Sequence, residues 1–116
     1  MAELSIKDIA VLAAEAAEYK KAENIDVLKV EGLTVIADYF VICSANSDKQ
    51  VKAVAKAVEE KLSEQGIEPR RTAGMNDARW VLIDYADVIV HVFHKRERDY
   101  YDLERLWADA EKILRK

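Results

Sequence analysis

Four side chains in the stretch WVLIDYADVIVHVFH, residues 80 to 94, could do chemistry: Asp84, Asp87, His91 and His94. Two carboxylates so close could share acid–base work or hold magnesium. They bracket an apparent hinge at Tyr85-Ala86, however, and aspartates flanking a tight turn more often accept hydrogen bonds from nearby amides. The two histidines are three positions apart, which in a strand puts them on opposite faces and argues against a shared metal. Cys43 lies on another segment, and no fourth ligand accompanies it.

Other catalytic signatures are missing. The chain has no Gly-x-Ser-x-Gly, no Cys-His arrangement with an orienting group, no P-loop and no GxGxxG. Ser44-Ala45-Asn46-Ser47, between an expected strand and helix, is faintly similar to the Gly-Ser loop of nucleotidyltransferases. Those enzymes follow it with an Asp-x-Asp metal pair, and no Asp-x-Asp occurs in this sequence. The residues favour a binding surface over a catalytic set.

The elements that must position these residues can be read from the spacing. Ser5 is placed to cap a first helix, with Ile6, Ile9, Ala13, Ala16 and Ala17 on one stripe and Lys20-Lys21 at the negative end of its dipole. IDVLKV, residues 25–30, and the β-branched and aromatic YFVICS, 39–44, predict strands. Ser47 and Gln50 match a capping box, opening a helix that carries Val51, Val54, Ala55, Val58 and Leu62 and stops at Gly66. A short edge strand is expected around Pro69 to Thr72, because proline cannot donate to a ladder. A hairpin of strands 79–85 and 87–94 follows. In the tail, Tyr100, Leu103, Leu106, Trp107, Ala110 and Ile113 recur at spacings of three and four and predict a mainly helical segment. The fold expected is α+β, a mixed sheet of about five strands with helices mainly on one face.

In the hairpin, strand alternation sorts Trp80, Leu82, Asp84, Val88, Val90 and Val92 from Val81, Ile83, Tyr85, Ile89, His91 and Phe93. The residue on which the chain turns can exchange the sets between strands, so the core-facing set stays open. Both sets are apolar, unlike a sheet with one wet face. Five strands span roughly 24 Å, and two helices side by side shield roughly 20 Å. The two long helices therefore close one face, leaving the other either as an interaction patch or as a second core under the tail.

At 116 residues, 51% hydrophobic and 34% charged, with three glycines and one proline, the chain fits a single domain over residues 1–116. The lone Cys43 excludes a disulfide framework and suits a reducing compartment. The N-terminal segment reads as neither a signal peptide nor a membrane span, so a cytoplasmic location is expected. A net charge of −4 argues against gripping phosphate backbones and suits a basic partner. The short basic clusters Arg70-Arg71, Lys95-Arg96 with Arg98, and Arg115-Lys116 are interleaved with acids and read as solvated surface.

DYFVICSANSDKQVKAVAKAVEEKL, followed by RWVLIDYADVIVHVFHKRERDYYDLERLW, closely resembles the Iojap-type ribosomal silencing factors over about residues 5 to 107. Two positions depart from the family pattern: Ala86 stands where glycine is usual at the hinge, and Ala73-Gly74 where Glu-Gly is usual. The resemblance implies a nucleotidyltransferase-like fold without catalytic residues or cofactors. It also implies a translation repressor that binds the large ribosomal subunit through ribosomal protein fourteen and blocks subunit joining. Ribosomal RNA contact would be peripheral at most, no membrane is involved, and homodimers are a feature of the class. Carried onto this chain, the partner surface comprises Trp80, Leu82, Asp84, Tyr85, Asp87, His91 and Phe93. Tyr101 and Trp107 would be packing residues. The alternatives are a dimeric adaptor whose apolar patch is used by its own copy, and a residual nucleotidyltransferase.

Overall fold

Serines open both long helices. Ser5 accepts from the Asp8 amide while the Asp8 carboxylate accepts from the Ser5 amide, a complete capping box for α1 (Ile6–Tyr19). Ser47 likewise accepts from the Gln50 amide at the start of α2 (Asp48–Ser63). Its expected reciprocal half is absent. The Gln50 side chain instead accepts from the Asn46 amide and donates to the Lys20 and Lys21 carbonyls. The second cap thus ties the start of α2 to the end of α1.

The structure, a computed structural model, describes residues 4–115. The two long helices pack on one face of a six-stranded mixed sheet: β1 (Glu23–Lys29), β2 (Tyr39–Ala45), β3 (Arg71–Ala73), β4 (Trp80–Asp84), β5 (Val88–His94) and β6 (Glu111–Arg115). The spatial order is β3-β4-β5-β2-β1-β6, with β2 and β5 parallel and every other pair antiparallel. As expected, β3 is an edge strand.

The sixth strand corrects the reading of a mainly helical tail. The helix that starts at Lys95 ends after Tyr101, where Asp102 adopts a left-handed φ of 48°. One further turn, α4 (Leu103–Leu106), follows α3 (Lys95–Tyr101), and residues 111–115 then pair with the outer edge of β1. The three-and-four spacing of the apolar residues is real. It loses beyond Ala110 because β1 otherwise presents a row of unpaired backbone groups there.

Arg98 is a second correction. Lys95 and Arg96 are exposed, as expected of a solvated cluster, but Arg98 is only 8% exposed. At the start of β1 the register slips between Glu23 and Asp26, with Asn24 at φ 50°. The Arg98 guanidinium fills the resulting notch, donating to the Asn24 carbonyl and pairing with Asp26 at 3.0 Å. The bulge creates the acceptors, and bulges are not legible in a β-branched run. Of the pair Arg115-Lys116, Lys116 and the Arg115 side chain lie outside the described residues.

The hinge between β4 and β5 is three residues long. The Asp87 amide donates to the Tyr85 carbonyl at 2.9 Å across Ala86, which takes a φ of 71°. This is the rare γ-turn with a positive φ. Ala86 thus adopts a strained conformation that a glycine would hold freely.

Two stability outcomes follow from these contacts. Ala86→Gly removes the steric cost of the left-handed region and is expected to raise stability by about 1 kcal/mol in urea titration. A lower midpoint would show that the alanine hinge is not strained. Arg98→Leu leaves Asp26 buried opposite an apolar side chain and is expected to cost about 3 kcal/mol in the same assay. A loss under about 1 kcal/mol would mark the pair as a surface-like contact.

Candidate partner-binding face

The ladder register decides which side chains meet, because it closes with an even number of residues, 85–88, between Asp84 and Ile89. Across the antiparallel ladder Trp80 lies opposite Phe93, Leu82 opposite His91 and Asp84 opposite Ile89. The alternation sets are therefore exchanged between the two strands. Val81, Ile83, Val88, Val90 and Val92 go under the long helices with Val41 and Cys43. Trp80, Leu82, Ile89, His91 and Phe93 share the opposite face with Phe40 and Ile42.

That second face is a partly covered aromatic layer. Phe93 and Phe40 are buried, and Leu103, Trp107 and Ala110 from the tail pack over the cluster. Trp107 meets Phe40 edge-on at 5.2 Å, which matches its expected packing role. Trp80 and Leu82 remain half-buried at the rim. Trp80 stacks on Phe93 at 4.9 Å and leans on Tyr101 at 4.8 Å, and Tyr101 itself is exposed.

His91 fixes the orientation of Trp80. The indole Nε1 donates to His91 Nδ1 at 3.1 Å, so the imidazole is neutral with its proton on Nε2. Nε2 is buried and meets no hydrogen-bond partner among the described residues. Burial pushes the His91 pKa down from 6.5 to about 4. The imidazole is thus neutral at neutral pH, and the polar end of Trp80 is turned inward to it.

The remaining residues singled out in the sequence sit elsewhere. Asp84 is buried and committed to the hinge: its carboxylate accepts from the Ala86 amide at 2.8 Å and pairs with Arg70 at 3.0 Å and Arg71 at 3.4 Å. Burial works to raise its pKa, but the amide and the two guanidiniums outweigh this and hold it below the usual carboxylate range. Tyr85 packs on the long-helix side of the sheet, away from Trp80, with its hydroxyl buried and its pKa raised by that burial and by Glu59 and Glu68. Asp87 is exposed at the turn. His94 caps α3 by accepting from the Arg96 amide. Cys43 is fully buried, and burial pushes its thiol up to about 12, so it carries no reactive thiolate. Among the described residues no group of three or more His, Cys, Asp or Glu is placed to hold a metal.

A family model described as "Ribosomal silencing factor during starvation" matches residues 3–116. The chain belongs to the ribosomal silencing factor family. It is 52% identical over 104 residues to the ribosomal silencing factor of Bacillus subtilis strain 168, covering 90% of this chain and 88% of that protein. It is 32% identical over 104 residues to the chloroplast Iojap protein of maize, covering 90% of this chain and 45% of that longer protein. A crystal structure of a Chromobacterium violaceum protein, 39% identical, superposes with a TM-score of 0.88 over 90% of this chain and 88% of its own. The family and its Bacillus subtilis member are named for silencing ribosomes, a regulatory role, and not for a reaction. The Iojap-type resemblance and the α+β class read from the sequence both hold.

The buried imidazole of this silencing factor generates a pH dependence. His91 has a folded pKa near 4 against 6.5 unfolded. Between those values the unfolded chain takes up a proton that the folded chain refuses, so stability falls as pH drops. Wild type is expected to lose about 2 kcal/mol more than His91→Gln between pH 7 and pH 5 in urea unfolding followed by tryptophan fluorescence. Parallel pH slopes for the two proteins would contradict a neutral, buried His91.

Proposed function

We propose that this chain represses translation by binding the large ribosomal subunit at ribosomal protein fourteen, on the surface that meets the small subunit. Bound there, it blocks subunit joining sterically, in the cytoplasm and without catalysing a reaction. The observation that carries this reading is the half-open aromatic rim at Trp80 in a member of the silencing factor family. A rigid indole, held in one orientation by His91 and backed by Phe93, gives contact area at low entropy cost.

In this reading the contact residues divide by their exposure. Trp80 and Leu82 supply the apolar contact, and the exposed Asp87 offers a carboxylate to a basic partner. His91 and Phe93 form the layer beneath them, and Asp84 acts by holding the hinge. Tyr85 would reach a partner only around the hinge edge. The net charge of −4 suits a basic ribosomal protein.

Titration of labelled protein with purified large subunits tests this. Trp80→Ala is expected to weaken binding roughly 30-fold, about 2 kcal/mol, with an unchanged circular dichroism spectrum. A folded Trp80→Ala that binds as tightly as wild type would remove this face from the contact.

A further inference from the structure

We propose that the loop joining β1 to β2, residues 31–37, is a second docking point of the same contact, and that it seats on a basic protein surface with an apolar depression. This rests on the ribosome-binding reading above and extends it to a place where the sequence showed only a turn signal.

The loop carries three aliphatic side chains turned to solvent. Val35 is fully exposed, Ile36 is 60% and Leu33 49% exposed, and among the described residues Leu4 is the only other exposed large aliphatic side chain. The backbone holding them is tied by hydrogen bonds. The Leu33 and Thr34 amides donate to the Val30 carbonyl at 2.9 and 3.2 Å, and the Ile36 amide donates to the Thr34 hydroxyl at 3.2 Å. Side chains presented outward on a tied backbone lose little further entropy when they are covered.

The roots of the loop join it to the aromatic face. Val30 and Ala37 are buried in the cluster that holds Phe40 and Phe93 and carries Trp80 and Leu82. Val88 at the hinge end of β5 and Phe93 opposite Trp80 are five residues apart, roughly 17 Å. Two anchors at that separation fit within one interface of ordinary size, roughly 800 Å² per partner.

Charge at the base of the loop selects the kind of partner. The Glu31 amide donates to the Asp38 carbonyl, and the Asp38 amide donates to the Asp87 carbonyl, so three acidic residues gather there. Arg70 and Arg71, on the other side of the hinge, are drawn to Asp84. Acids around an aliphatic tip repel phosphate backbones and anionic lipid headgroups. Aliphatic side chains also offer no ring on which a base can stack. A basic, partly apolar protein surface complements both features.

The test uses the full chain with Leu33, Val35 and Ile36 all changed to serine, a change at exposed positions that leaves the core untouched. Sedimentation with purified large subunits is expected to show binding at least tenfold weaker than wild type, with Glu31→Lys weakening it further and most at low salt. If wild type binds and the triple-serine chain binds equally, the loop inference is overturned while the Trp80 face stands. If wild type itself does not bind, both readings fail together. Competition by protein-free ribosomal RNA, or vesicle binding that the serine variant loses, would overturn the assignment of a protein partner.

Discussion

The hinge at residues 85–87 is held from three sides, and the working face depends on that grip. The Asp84 carboxylate takes the Ala86 amide, the Tyr85 carbonyl takes the Asp87 amide, and the Asp87 carbonyl takes the amides of Asp38 and Tyr39 at the start of β2. With the Tyr85 amide donating to the Val88 carbonyl, the first two contacts close the turn in the register that places Trp80 opposite Phe93 and not on the side of the helices. The third joins the hairpin to the parallel strand β2, so the same few atoms fix the register of three central strands. A slip of one residue would send Trp80 into the helix-covered core and Val81 out.

Placing both faces of the sheet under cover has a consequence for the tail. α1 and α2 close one side, and the other is closed only as far as Leu103, Trp107 and Ala110 reach. Phe93 and His91 fall inside that cover, while Trp80 and Leu82 fall at its rim. The rim is apolar because it continues a core, and it is open because the helix breaks at Asp102. The Arg98–Asp26 pair anchors the segment just before that break to the notch in β1. The fold thus exposes an aromatic edge that is rigid, because the layer beneath it is packed, and partly dry.

Much of this was legible in the residues. Ser5 and Ser47 marked both long helices, β-branched runs marked the central strands, and the low polarity of both hairpin faces announced a second apolar surface. The assignment of side chains to faces was not legible, because it turns on whether an even or an odd number of residues separates the paired strand ends, and the ladder closes with Asp84 opposite Ile89. Tyr85 shared a set with His91 and Phe93 by alternation, yet the hinge sends it to the helix side. β6 was hidden behind a genuine helical spacing, and Arg98 behind its place in a basic cluster. Both depended on backbone groups left unpaired on β1, which no local pattern in the tail reports. The exposed aliphatic loop could have been noticed from LTVI following a glycine turn.

The most direct test of the central claim is sedimentation of the protein with separated large and small subunits, followed by light scattering as the two are mixed. Co-migration with the large subunit alone, and a fall in scattering from joined ribosomes as the protein is added, is the result expected. Co-migration with neither subunit at any salt, or binding to the large subunit with joining unimpaired, would contradict the account.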